Sequence, residues 1–133
     1  MSIDYSKLIN AAAKARENAY APYSQFKVGA ALLCTDGKVF TGCNIEFASY
    51  SPTNCAERTA LFKAVSEGER EFEAIAIVGN GIISPCGVCR QALFEFGGEK
   101  LSVIMAKNDD EYIVKTLGEL FPMGFGANSL DAK

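Results

Sequence analysis

Ala74-Ile75-Ala76-Ile77-Val78 is a run of five apolar residues closed by Gly79-Asn80-Gly81. A stretch this short, rich in β-branched residues and apolar on both alternating faces, fits a central strand covered by helices on both sides. Beyond it, Ser84-Pro85 precedes a segment, 86–96, that reads as a helix stopped by Gly97-Gly98, and 101–106 reads as the next strand. Before it, a helix is expected from Cys55 onward, with Leu61, Ala64 and Val65 at helical spacing and Gly68 closing it. The β-α-β-α-β order implies parallel crossings.

Further out, residues 28–34 are apolar on both faces, Thr35-Asp36-Gly37-Lys38 carries an Asp-Gly turn, and 39–43 resumes an extended pattern, so a hairpin is expected. Upstream, Leu8, Ala11, Ala12, Ala15 and Ala19 recur at helical spacing from Asp4, a suitable N-cap, to about Tyr20, with Pro22 just beyond. Residues 44–54 mix Asn, Ser, Pro and aromatics without a period and read as a loop feeding the second helix. Downstream, Asn108-Asp109-Asp110 turns the chain into a strand at 112–114, and 117–120 reads as a short helix before Pro122. With no internal repeat or linker, residues 1–133 are expected to form one domain. Its class is a three-layer α/β sandwich, a mixed five-stranded sheet with helices on both faces.

Composition narrows the chemistry. The chain has no histidine, which removes Ser-His-Asp and Cys-His triads, His-ligated metal sites and a His general base. Carboxylates and cysteines must carry any acid-base work. A formal charge of -3 is the opposite of a basic nucleic-acid footprint and favours a small or neutral ligand. No apolar run reaches the roughly 20 residues of a membrane-spanning helix. Charged residues stand early in Met1-Ser2-Ile3-Asp4-Tyr5-Ser6-Lys7 with no apolar signal core behind them, so the cytoplasm is the expected compartment. An odd set of five cysteines that includes a Cys-x-x-Cys points there to metal or redox chemistry before disulfides.

Cys86-Gly87-Val88-Cys89 puts two thiols one helical turn apart at a helix start, where the backbone dipole favours thiolates. Two thiols alone do not choose among structural, redox and metal roles. Cys55, in Asn54-Cys55-Ala56-Glu57-Arg58, stands at another helix start, and successive helices of a β-α-β-α unit begin at the same carboxyl edge of the sheet. Cys55, Cys86 and Cys89 can therefore share one ion with a fourth position open, the mark of a catalytic zinc site. A fourth thiolate from Cys34 or Cys43 would make it a closed structural site, but both sit in strand patterns where a buried cysteine acts as a small hydrophobe. Glu57, two residues after Cys55, is close enough to a metal-bound water to take its proton without being a ligand. Zinc with three thiolates is formally -1, and Arg58 is the candidate cation to offset it.

Cys55-Ala56-Glu57-Arg58-Thr59-Ala60 together with Pro85-Cys86-Gly87-Val88-Cys89-Arg90-Gln91 resembles the zinc-dependent cytidine deaminases, of the small three-cysteine type. The likeness extends to Ala21-Pro22-Tyr23-Ser24, Phe26-Lys27-Val28-Gly29-Ala30-Ala31, Gly42-Cys43-Asn44-Ile45-Glu46 and Ala48-Ser49-Tyr50-Ser51. The resemblance implies hydrolytic deamination of cytidine and deoxycytidine in pyrimidine salvage: one zinc per chain, hydroxide attack at C4, and Glu57 as the proton shuttle. It implies that Asn44 and Glu46 grip the ribose hydroxyls, that Phe26 packs on the base, and that backbone groups near Ala56 and Ser84 read the base edge. It also implies a homotetramer with shared active sites, to which Tyr50 and Phe125 contribute across interfaces. The free-base, deoxycytidylate and transfer-RNA relatives use a His-Ala-Glu motif that a chain without histidine lacks. A blasticidin-type antibiotic deaminase is disfavoured by Glu46.

Overall fold

The computed structural model describes residues 2–131. Helix α1 (Tyr5–Arg16) is followed by strands β1 (Gly29–Cys34) and β2 (Val39–Cys43), helix α2 (Ala56–Ser66), strand β3 (Phe72–Val78), helix α3 (Gly87–Gly97), strands β4 (Ser102–Asn108) and β5 (Glu111–Thr116), and the short helices α4 (Leu117–Leu120) and α5 (Ala127–Asp131). One sheet of five strands runs in the order β2-β1-β3-β4-β5. Strands β3 and β4 are parallel, and β1 pairs antiparallel with both β2 and β3. Strands β2 and β3 therefore run in the same direction on either side of β1, and both helical crossings, through α2 and α3, are parallel as expected.

Strand alternation divides the core into two layers. Ile75 and Ile77 of β3 join Ala30, Leu32, Val103 and Met105 beneath α2 and α3. Ala74, Ala76 and Val78 join Ala31, Ile104 and Ala106 beneath α1, against Leu8, Ile9 and Ala12. The alanines on the α1 face let that helix lie close, and Gly29 closer still: a Cβ there would fall 2.0 Å from the Ala12 carbonyl oxygen. Burying each of Ile75 and Ile77 contributes about 1.5–3 kcal/mol.

Asp4 caps α1 as expected, accepting from the Lys7 backbone N–H at 3.0 Å. The helix ends at Arg16, however, four residues short of Tyr20. The Ala19 N–H turns back to the Arg16 carbonyl, and Tyr20 is drawn into tertiary pairing, its N–H donating to the Asn44 carbonyl and the Glu46 N–H to its own carbonyl. The Asp36-Gly37 turn forms, with Gly37 at φ 93°, and α3 stops at Gly98, φ 61°. Helix α5 was not expected from the sequence.

The register fixes where the functional residues meet. Gly29, the first residue of β1, pairs with Cys43 and with Val78. The carboxyl ends of β2 and β3 therefore lie at one edge of the sheet, and α2 and α3 both begin above that edge.

Candidate metal centre and adjoining pocket

Cys55 and Cys86 occupy the N-cap positions of α2 and α3, both in extended backbone conformation, and neither side chain caps its helix. At an N-cap, Ser, Thr, Asp or Asn would bend back onto the first N–H groups. Here the thiols turn to each other, with Sγ atoms 3.7 Å apart. Cys89, one turn into α3 and fully buried, completes a cluster in which all three Sγ atoms lie within 4.8 Å of one another. Tetrahedral zinc with Zn–S bonds of about 2.3 Å holds its thiolates about 3.8 Å apart, so the donor set and its spacing fit that ion.

The electrostatics favour the same ligand. The Cys55 thiol is pulled down to about 5, chiefly because the Cys89 thiol donates to it and further by the Arg58 guanidinium, against the effect of burial. Cys89, as that donor, is correspondingly pushed up. Arg58 Nη2 lies 3.4 Å from Cys55 Sγ. Its Nε is buried with no hydrogen-bond partner among the described residues. The guanidinium thus stands against the thiol cluster, at the place a cation would have to occupy to offset three thiolates on a divalent ion. Among the described residues no fourth cysteine joins the cluster. Cys34 is buried at the opposite end of β1 beside Asp36 and Glu69, and Cys43 is half-buried. Among the described residues the closed structural alternative thus lacks its fourth thiol, and a four-coordinate ion held by these three would keep one position open.

Glu57 lies in the first turn of α2 yet is only 5 % exposed. A surface carboxylate that merely complements the helix dipole would face solvent. This one is pushed up to about 7, mainly by burial and further by the charge of Cys55, against its own backbone hydrogen bond and the Arg58 charge.

Over the thiols opens a cavity of about 290 Å³, lined among others by Phe26, Asn44, Glu46, Ala56, Glu57 and Ser84, with Cys55 and Cys86 at its floor. Every substrate-directed residue expected from the sequence reaches this cavity except Tyr50 and Phe125, which do not line it and are 84 % and 58 % exposed. Phe26, 40 % exposed, is part of that lining. Asn44 and Glu46 are not free side chains on a common strand face. Asn44 Oδ1 accepts from the Val28 N–H at 2.8 Å, and its Nδ2 donates to the Phe26 carbonyl at 2.7 Å. Glu46 Oε1 accepts from the N–H groups of Tyr23 and Ser24, both at 3.0 Å, and Oε2 from the Ser24 hydroxyl. These bonds hold the Glu46 carboxyl below its usual range, the Ser24 hydroxyl most of all. Spare acceptor sites on Glu46 and the second N–H of Asn44 remain for a ligand.

Sequence reasoning missed Ser24, Ile83, Arg90 and Gln91. Ser24 braces Glu46, and Ile83 lines the cavity. Arg90 Nε donates to the Pro85 carbonyl at 2.8 Å, Nη2 to Ser84 Oγ at 2.7 Å and Nη1 to the Leu120 carbonyl at 2.6 Å. Gln91 Nε2 donates to the Phe125 carbonyl at 2.7 Å. The one signal for these two was their place directly after Cys89.

Residues 2–105 match a family model described as the cytidine and deoxycytidylate deaminase zinc-binding region. The sequence is 49 % identical over 130 residues to a cytidine deaminase of Sporosarcina psychrophila, covering 96 % of each chain. It is 48 % identical over 131 residues to that of Halalkalibacterium halodurans, covering 97 % of this chain and 99 % of the other. The fold matches a crystal structure of cytidine deaminase from Burkholderia pseudomallei with a TM-score of 0.88 and 54 % identity, over 92 % of this chain and all of that one.

Proposed function

The chain belongs to the cytidine and deoxycytidylate deaminase family, and from that premise we propose that it hydrolyses the 4-amino group of cytidine and deoxycytidine in the cavity above Cys55, Cys86 and Cys89. The balanced reaction consumes one water and releases uridine or deoxyuridine and ammonia. The observation that carries it is the buried Glu57 carboxylate beside three thiols that leave a coordination position open.

Cys55, Cys86 and Cys89 would hold one zinc ion, which would supply the Lewis acidity that makes water a nucleophile at neutral pH. Glu57 takes one proton from the attacking water and delivers it to N3 of the ring, then takes the second from the new C4 hydroxyl and hands it to the amine as the C4–N bond breaks and ammonia leaves. Its burial keeps bulk water from competing as the proton partner. Arg58 stays fixed against Cys55 and offsets the excess thiolate charge. Phe26 packs on the base, Asn44 and Glu46 bind the ribose hydroxyls, and the backbone at Ala56 and Ser84 reads the base edge. Asn44 and Glu46 are already anchored to the 23–28 loop, so binding the sugar orders few further side chains.

Tyr50 and Phe125 act in the pocket of a neighbouring subunit in a homotetramer. What supports this is their exposure as aromatic side chains outside their own cavity. Five free cysteines, three of them needed as thiolates, suit a reducing compartment such as the cytoplasm. No described helix is long and apolar enough to cross a membrane.

The test is the ultraviolet time course of cytidine with purified zinc-loaded protein, with and without a chelator. Conversion to uridine that stops on chelation is expected. No conversion by protein carrying one zinc per chain overturns the substrate reading.

A further inference from the structure

Arg90 directs its guanidinium at neutral acceptors only: the Pro85 carbonyl, the Ser84 hydroxyl and the Leu120 carbonyl. No carboxylate pairs with it among the described residues, although a half-buried cation is costly to hold without one. Such an arrangement is understandable when it fixes geometry, because the planar fork dictates both distance and direction to each acceptor. The acceptors belong to two separate segments. The Pro85 carbonyl, which accepts from Arg90, belongs to the peptide bond that joins Pro85 to the ligand Cys86, and Ser84 lines the cavity. Leu120 ends α4, thirty residues along the chain.

The neighbouring Gln91 repeats the tie five residues further along the tail, at the Phe125 carbonyl. Between these two anchors the tail packs on α3 through Phe121, whose ring meets Phe94 edge-on at a centroid distance of 5.3 Å. Gly124 lies so close that a Cβ there would stand 2.5 Å from the Phe121 ring and 3.1 Å from that of Phe94. The tail that presents Phe125 is thus seated on the helix that carries Cys89.

We propose that Arg90 is a positioning residue: its guanidinium holds the Ser84–Cys86 segment and the Leu120 end of the tail in one frame, so that the base-reading wall of the pocket and the metal ligands keep a single geometry, and Gln91 extends that frame to Phe125. The proposal rests on the site assignment above. Because Ser84 Oγ accepts from a cation, its own O–H remains a polarised donor at the cavity wall. Lysine in place of Arg90 keeps the charge but has no fork to serve three acceptors.

The experiment compares zinc-loaded wild type, Arg90→Lys, Gln91→Ala and Ser84→Ala by zinc release to a chromophoric chelator and by KM and kcat for cytidine. Arg90→Lys is expected to carry one zinc per chain but to release it about 10- to 100-fold faster, the usual effect of losing a group that orients a ligand, with KM rising more than kcat falls. Gln91→Ala touches the tail alone, so its zinc release stays at the wild-type rate while KM rises. Ser84→Ala, which leaves Arg90 in place, raises KM even if the lysine variant does not fold. Wild-type release and wild-type KM in Arg90→Lys, or in Ser84→Ala where the lysine variant does not fold, overturn the proposal. Release rates judge Arg90 even if the wild type does not deaminate cytidine, so the two readings fail separately.

Discussion

Gly42→Ala tests whether the packing of β2 on α2 sets the catalytic geometry. A Cβ at Gly42 would stand 2.5 Å from the Ala60 backbone nitrogen and 2.6 Å from the Ala56 carbonyl oxygen, where ordinary contact begins at 3.4 Å. Both obstacles are main-chain atoms of α2, so no side chain can swing aside, and the helix must move by about 0.9 Å to restore contact. Ala56 lies between Cys55 and Glu57, so that movement is felt at the metal ligand and the proton shuttle together. Overpacking of this kind costs about 1–3 kcal/mol. With an unfolding entropy of about 2.1 cal/mol/K per residue, 133 residues give about 4 °C per kcal/mol, and a Tm lower by about 4–11 °C is expected. A misplacement near 1 Å in an active site costs on the order of 10²-fold, so kcat/KM should fall further than the stability loss alone explains. Calorimetry and steady-state kinetics on the zinc-loaded variant read both effects. Gly81→Ala is the control: nothing lies within 4 Å of a Cβ there, and a change within about 0.5 kcal/mol is expected. A Gly42→Ala enzyme with wild-type Tm and wild-type kcat/KM would refute the argument that the close approach of α2 to β2 holds the site.

Three further outcomes follow from the same structure. Glu57→Gln should retain one zinc per chain by metal analysis while kcat falls by about 10²-fold or more, because the lost group moves protons and does not bind the ion; zinc loss would count against the assignment. In alkylation followed by mass spectrometry near pH 8, Cys34 should stay unmodified in the folded protein, since burial, with Glu69 and Asp36 beside it, pushes its thiol up to about 12. Chelation should expose Cys55, pulled down to about 5, as the thiol that reacts next. Glu119 closes the capping box of α4, accepting from the Thr116 backbone N–H at 2.8 Å, and that bond holds its carboxyl below the usual range. A lowered folded value means that its contribution is present above the ordinary carboxylate value of about 4.3 and lost as pH falls through the lowered one. The Tm difference between wild type and Glu119→Gln should therefore be constant near neutrality and close in acid; a difference that widens in acid would contradict the sign.

What was legible in the sequence was what neighbouring residues encode among themselves. The alternation of alanine and isoleucine in 74–78 exposes a strand with two apolar faces. Cysteines at two helix starts declare a metal site because chain direction alone brings both starts to one sheet edge. Glu57 and Arg58 stand out as candidates because they closely follow Cys55, and the zinc reading needs only two short motifs. The features that escaped are those whose partners lie far along the chain. Nothing in Gly29–Cys34 says that it inserts between β2 and β3. Ala15 and Ala19 continue the helical spacing of α1, yet α1 ends at Arg16 and Tyr20 pairs with the 44–46 loop.

Asn44 and Glu46 read as a free pair for a diol, whereas the fold first spends their hydrogen-bonding groups on the 23–28 loop. That changes how substrate binding is understood. Under the proposed reading, a side chain already fixed to backbone would meet the sugar with its geometry set, and the sugar would bond to the spare acceptor sites of Glu46 and the second N–H of Asn44 without ordering a mobile carboxylate. Arg90 and Gln91 extend this division of labour, for the Leu120 and Phe125 carbonyls they reach lie 30 and 34 residues away. Local sequence supplies the reacting groups, and distant hydrogen bonds supply their precision. Substitutions at the reacting groups should therefore lower kcat with zinc retained or lost outright, while substitutions at Ser24, Arg90 and Gln91 should appear first in KM.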